Sequence, residues 1–326
     1  MEKLYGKSIE MSKPLVTVII CVYNGGEFLK PAVMSILNQT YSNIEVNIVD
    51  DGSTDDCIAQ INDIRDDRLH ILGQENQGRP VALNYALGKS SGQFYLIQDA
   101  DDLSYPNRVE YLSGRLLEQP DLAAVFSGHD LILENKRVAP RFAPKDREAC
   151  HRDIIAMRQP AHDPTAMFRI SMVREIRYEP LLRIGAGWDY ILRVGELHPM
   201  EVLGKCLYSY RINPSSNTRS DYVKRREMSH MVVERALIRR GEKVIKTSYG
   251  QKEHMALKTY RNAEYGLIAH FIESVLDLKR SHNRTAAFVT AFQCSVLHPF
   301  DWTYYKPMVF FLLPLVIVKW YRKLKN

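Results

Sequence analysis

The chain has 326 residues, 45% of them hydrophobic and 25% charged, which is enough apolar content for a packed core and excludes a disordered chain. Its five cysteines, Cys21, Cys57, Cys150, Cys206 and Cys294, form no CxxC pair, so neither a disulfide framework nor a zinc site is indicated. The formal net charge of +6 would suit an anionic partner, but the cations gather late in the chain and two tight acidic clusters lie in its first third, which argues against a nucleic-acid surface there.

The N-terminal residues 1–13 are charged where a secretory leader needs an apolar stretch, so they read as a short tail on a cytoplasmic chain. After Pro14, the run 15–22 is apolar and β-branched and ends in Tyr23-Asn24-Gly25-Gly26, the pattern of a buried strand followed by a turn. A helix is expected over 27–37, then a strand over 44–49, a helix after Thr54, a strand over 69–72, a helix over 80–87 and a strand over 94–97. This alternation predicts a parallel sheet, in which ligands bind beyond the carboxyl ends of the strands. The turns after Val22, Val49 and Ile97 should therefore meet at one crevice. Shorter strand-like pieces at 123–126 and 165–168 are expected to complete the same domain.

Beyond Asn217 the pattern changes to charged helices over 222–240 and 255–278, the second with Tyr260, Ala263, Leu267, Phe271, Val275 and Leu278 at helical spacing. The last apolar run, 308–318, contains Pro314 and is shorter than the ~18 to 20 residues that span a bilayer. Trp302, Tyr304, Tyr305 and Lys306 precede it, and Lys319, Trp320, Tyr321, Arg322, Lys323 and Lys325 follow. Rings and cations on both flanks suit a headgroup layer, so an interfacial anchor is expected on the inner face of the cytoplasmic membrane; a helix packed on protein is the alternative.

Two clusters carry candidate chemistry. In Asp50-Asp51-Gly52-Ser53-Thr54-Asp55 a carboxylate at a strand end can accept bonds from a base or a ribose, although the same residues also suit a helix N-terminus. In Gln98-Asp99-Ala100-Asp101-Asp102 two carboxylates two residues apart can hold a divalent cation, although such a pair also occurs in solvated turns. A dinucleotide-binding G-x-G-x-x-G is missing after the first strand, which excludes a dehydrogenase of that type. No glycine-rich loop with arginine and lysine stands near the N-terminus, which leaves a sugar-nucleotide pyrophosphorylase a distant alternative.

Taken together, VTVIICVYNGG, SILNQTYSNIEVNIVDDGSTD, ENQGRPVALN and FYLIQDADD stand in the order and spacing of glycosyltransferase family 2, which the chain resembles from about Pro14 to Arg211. The resemblance implies a GT-A fold, an α/β Rossmann-like mixed sheet, here with a C-terminal helical appendage. With the change of pattern beyond Asn217, the chain divides into a catalytic domain over 14–217 (donor half 14–130, acceptor half 131–217), a helical appendage over 218–298 and a hydrophobic, basic segment over 299–326. The resemblance further implies metal-dependent, inverting hexosyl transfer from a nucleoside diphosphate sugar, with UDP the expected carrier and Mn2+ or Mg2+ the cofactor, to a hydroxyl of a glycan or lipid-linked glycan, as in cell-surface polysaccharide synthesis. A degenerate nucleotide-sugar binder or membrane scaffold is the alternative from another class.

By the same resemblance Tyr23, Asn24 and Asp51 fall at the nucleotide, Arg79 near the donor diphosphate, Asp99 at the ribose and Asp101 at the metal, while Asp189 in Gly187-Trp188-Asp189-Tyr190-Ile191-Leu192-Arg193 matches the catalytic base. The chain departs from the pattern in having Trp188 where an acid usually precedes that aspartate, Cys21 where a small residue is common, and Asn213 where a histidine is frequent. Trp188 is expected either to stack on an acceptor sugar or to fill the core, and His162 either to face the acceptor or to be structural.

Overall fold

The computed structural model describes residues 13–133, 135–212, 222–242, 263–297 and 299–318. The N-terminal tail before Lys13, Asn213, the boundary at Asn217, the start of the second charged helix including Tyr260, and the terminal cations from Lys319 onward lie outside the described residues.

Nine strands form one sheet: β1 (Val16–Val22), β2 (Ile44–Asp50), β3 (Leu69–Gly73), β4 (Phe94–Ile97), β5 (Leu103–Ser104), β6 (Ala124–Leu133), β7 (Lys136–Arg141), β8 (Ala166–Arg169) and β9 (Met200–Arg211). They are ordered β3-β2-β1-β4-β8-β6-β9-β5, with β7 paired to β6. The parallel order expected from the first half holds for β3, β2, β1 and β4. The sheet turns mixed where β8 runs antiparallel between β4 and β6. Farther out, β6 and β9 are again parallel.

The β-branched run of β1 is buried on both faces, which is why it reads as continuous rather than alternating. Val16, Val18, Ile20 and Val22 enter one core with α1 (Leu29–Leu37) and α3 (Arg108–Glu118), and Ile19 enters the opposite core with α2 (Arg79–Lys89). That division follows the two-residue period of a strand.

The helix expected after Thr54 does not form; the stretch holds a single 3-10 turn, Ala59–Ile61. The residues that would cap it are engaged elsewhere. Asp50 Oδ1 accepts the Ser53 N–H at 2.8 Å, Asn24 Oδ1 accepts that of Thr54 at 2.8 Å, and Asp55 Oδ2 accepts that of Gly26 at 2.8 Å. Side-chain bonds of this kind compete with a helix for the same backbone groups.

On the far side lie α4 (Arg147–Ile155), the short α5 (Ile170–Val173) and α6 (Ala186–Leu197). The helix Tyr222–Arg239 places Val232, Val233, Ala236 and Leu237 in the same core as α6. The helices Ala263–Arg280 and Arg284–Leu297 build two separate small cores, one of them against β6 and β7. Tyr304 is buried in one of them, while Met308 and Phe311 pack against the other. The last apolar run is thus a short helix, Lys306–Leu312, seated partly on protein. Among the described residues, no helix is long and apolar enough to cross a membrane.

Candidate active site

The three turns expected to converge do so at the carboxyl ends of β1, β2 and β4. Asn24, in the left-handed region at φ 55°, ties the first turn to the second: its N–H donates to Ser53 Oγ at 3.0 Å while its side-chain oxygen receives Thr54. Asn24 therefore shapes the crevice wall. Tyr23, beside it, is about half exposed (48%), leaving a ring face open at the end of β1.

Asp51 is almost fully buried and acts on the loop between β3 and α2. Its Oδ1 accepts Gln74 Nε2 at 2.7 Å and the Gln77 N–H at 2.9 Å, and its Oδ2 accepts the Gly78 N–H at 2.8 Å. Gly52 must be glycine for this approach, since it has φ 76° and a Cβ would lie 2.9 Å from the Asn76 nitrogen. Gly78, at φ 93°, opens α2 and packs beside the Arg183 side chain. Arg183 is a cation at this crevice that no motif in the sequence marked.

Arg79, the first residue of α2, spans the site. One guanidinium nitrogen donates to Asp99 Oδ1 at 2.8 Å and the other lies 3.4 Å from Asp163 Oδ2. Cys21 is close by, and burial pushes its thiol up to about 12. Burial and the neighbouring Asp99 raise the Asp101 carboxyl to about 6. Two like charges forced together on one partly buried turn fit a hard divalent cation, which takes oxygen ligands. Asp102 behaves differently: it is fully buried and accepts the Tyr208 hydroxyl at 2.7 Å and the Arg211 N–H at 2.7 Å, closing β9 onto the turn. Among the described residues no group of three metal-ligating side chains is assembled.

A buried arginine supports this turn. Arg108 donates to Ser104 Oγ at 2.9 Å, to the Ile97 carbonyl at 3.1 Å and to the Pro164 carbonyl, with its guanidinium over the Tyr208 ring at 4.7 Å. It thus joins the end of β4 to the turn Asp163–Thr165.

Asp189 does not face the crevice. Its carboxylate has no exposed surface, with Oδ2 on Arg193 at 2.8–2.9 Å and Oδ1 3.3 Å from Arg239. Held between arginines of α6 and the helix Tyr222–Arg239, it locks two helices together and has no free face for an acceptor proton.

Trp188 is a core residue that also borders a cavity. It is 9% exposed within the core, yet its edge lines a cavity of about 310 Å3 together with His129, Arg141, Lys145, Arg158 and His162. His162 lies between the His129 and Tyr210 rings at 5.1 Å each, and burial pushes it down to about 4, so it stays neutral.

Residues 17–176 match the glycosyl transferase family 2 profile. The chain carries a glycosyltransferase family 2 domain. An uncharacterised glycosyltransferase of Haemophilus influenzae is 31% identical over 50% of this chain and 54% of its own length. One from Methanocaldococcus jannaschii is 26% identical over 77% of this chain and 85% of its own. The chain spans about half, or as little as 19%, of the length of the first curated relatives it matches. In architecture the family 2 domain and its helices resemble S. aureus TarS 1-349 in complex with UDP-GlcNAc, at TM-score 0.56 and 16% identity over 80% of this chain and 81% of that one. They also resemble the mannosyltransferase PcManGT of Pyrobaculum calidifontis in complex with GDP-Man and Mn2+, at TM-score 0.55 and 18% identity over 93% and 86%. Both likenesses establish a GT-A fold with a helical C-terminal region.

Proposed function

We propose that this chain transfers a hexose from a nucleoside diphosphate sugar, with UDP as the expected carrier, to a hydroxyl of a glycan or lipid-linked glycan, inverting the anomeric centre. The observation that carries the reading is the crevice itself: a family 2 domain in which Tyr23, Asp51, Arg79, Asp99 and Asp101 stand together at the carboxyl ends of three parallel strands. The half-exposed Tyr23 ring lies beside the nucleotide base, and the loop pinned by Asp51 cradles it. Arg79 faces the diphosphate and Asp99 the ribose.

Mn2+ or Mg2+ held through Asp101 would neutralise charge on the departing diphosphate. The residues do the rest: Arg79 offers a fixed cation to the leaving group, and Arg108 keeps the β4 turn from shifting as charge builds. The complexes of TarS with UDP-GlcNAc and of PcManGT with GDP-Man and Mn2+ support a nucleotide-sugar donor and a divalent ion.

The apolar stripe Phe288, Phe292 and Val296, together with Phe300, Trp302, Leu312 and Val316, is exposed and supports contact with a membrane surface on the cytoplasmic face.

A thermal-shift screen of UDP, GDP, TDP and their sugar conjugates, with and without Mn2+, tests the donor site, since a ligand bound to the native state raises its melting point. A metal-dependent rise for one nucleotide, with release of its diphosphate when acceptor extract is added, is the expected result. A rise without release would favour a binder or scaffold, and no rise in folded protein would reject the donor site.

A further inference from the structure

We propose that the general base of this transfer is Asp163, carried on the turn before β8 into a place that α6 leaves open at Gly187; the inference rests on the transferase reading above. Gly187 is the second residue of α6, and a Cβ there would lie 2.0 Å from Asp163 Oδ2 and 2.3 Å from its Cγ. The Asp163 carboxyl therefore occupies the volume that a side chain on the first turn of α6 would fill. A helix start favours an anion, because its first N–H groups have no partner within the helix.

The surroundings suit a base. Asp163 Oδ2 and Asp99 Oδ1 are engaged by the two nitrogens of a single guanidinium, Arg79, which places Asp163 across from the donor carboxylates. Its Oδ1 is buried without a hydrogen-bond partner among the described residues. The chain neighbours of Asp163 and Gly187, His162 and Trp188, line the cavity of about 310 Å3, a volume within the range of small-ligand pockets. Asp163 thus stands between the donor crevice and the space open to an acceptor. Its backbone is fixed on both sides, by Arg108 on the Pro164 carbonyl and by Thr165 Oγ1 on the His162 carbonyl at 2.6 Å. Asp189, two residues beyond Gly187, has both oxygens on arginines.

In the step, the acceptor oxygen forms its bond to the anomeric carbon as its proton passes to the Asp163 carboxylate. The bond from that carbon to the diphosphate oxygen breaks, and the electron pair leaves with the nucleoside diphosphate. Before donor binds, Arg79 pairs with Asp163; a diphosphate competes for that guanidinium and frees the base.

The test uses the full chain with UDP-GlcNAc, UDP-glucose and GDP-mannose plus Mn2+, following nucleoside diphosphate release to water and to an acceptor extract. Asp163→Asn is expected to slow release by about 100-fold or more while keeping the melting point and the metal-dependent nucleotide shift, and to lose the acid limb of the pH–rate profile. Asp163→Ala combined with Gly187→Asp returns a carboxylate from the helix side, and should recover release at least about tenfold over Asp163→Ala alone. Release by Asp163→Asn close to wild type would overturn the assignment. So would a loss of release matched by loss of the nucleotide shift, or a folded double variant with no recovery. A wild-type chain that bound nucleotide yet released none from any donor would instead sink the transferase reading, and the base with it.

Discussion

Asp99, Asp101 and Asp102 are three adjacent carboxylates with three different fates, and burial sets the difference. Asp102 is consumed by Tyr208 and the Arg211 N–H, Asp99 is paired with Arg79, and Asp101 keeps a raised carboxyl at about 6. Substituting Asp101→Asn removes charge without removing a hydrogen bond to the fold, so the melting point should change little. The Mn2+-dependent part of the UDP shift should vanish in the same thermal-shift measurement; a full shift would place the cation elsewhere. The acidic pair was legible in FYLIQDADD because it follows a wholly buried strand. The roles of Asp163 and Gly187 were not, because residues 24 positions apart meet only when β8 and α6 pack.

At the scale of elements, Arg108 is the joint between the metal-site turn and the turn carrying Asp163. Its replacement by methionine keeps the volume but strands the Ile97 and Pro164 carbonyls and Ser104 Oγ. A loss of about 3 kcal/mol is expected in denaturant melts, together with a weaker UDP shift although Arg108 lies outside the crevice. A second joint is histidine-rich. His270 on the helix Ala263–Arg280 donates its Nε2–H to the Ala139 carbonyl at 2.7 Å and packs on His129 at 4.9 Å, with His162 and Arg141 around it and Asp277 paired to Arg141. Burial, then Arg141, pushes His270 down to about 3, well below its ordinary 6.5. A depressed histidine is neutral in the fold and takes a proton only when unfolded, so its contribution is full above pH 6.5 and is lost as pH falls toward 3. The His270→Gln variant should therefore show a shallower fall of unfolding free energy between pH 6.5 and 5 in denaturant melts, by up to about 1.4 kcal/mol per pH unit. An unchanged slope would mean His270 is not held neutral. Sequence pattern could not locate this joint, since lone histidines have no period, and the absent helix after Thr54 shows the converse, a good N-terminal signature overridden by Asn24 and Asp50.

For the molecule as a whole, the strands of the first half were readable because parallel strands buried on both sides are continuous apolar runs. The far strands were not: β7 and β9 carry Lys136, Arg137, Glu201 and Lys205 and resemble loops in composition. The C-terminal segment divides its apolar residues between protein and solvent. Tyr304 is buried and Lys279 Nζ binds the Phe310 and Phe311 carbonyls at 3.0 and 2.8 Å, so cutting the chain before Phe300 would open a core. Three outward substitutions, F292S, L312S and V316S, leave that packing in place. They should lower sedimentation with anionic vesicles more than about tenfold at an unchanged melting point; equal sedimentation would exclude this face as the membrane contact. The position of β8 carries one more consequence. Residues 166–169 sit between β4 and β6, although they follow β6 in the chain, so the gap between those two strands is filled by a later, short segment. A nascent chain emerging from the ribosome must hold the β4 and β6 edges apart and unpaired until that segment arrives. Its hazard during synthesis is edge-to-edge association with another copy, and it ends only when the four residues that follow the Asp163 turn are in place.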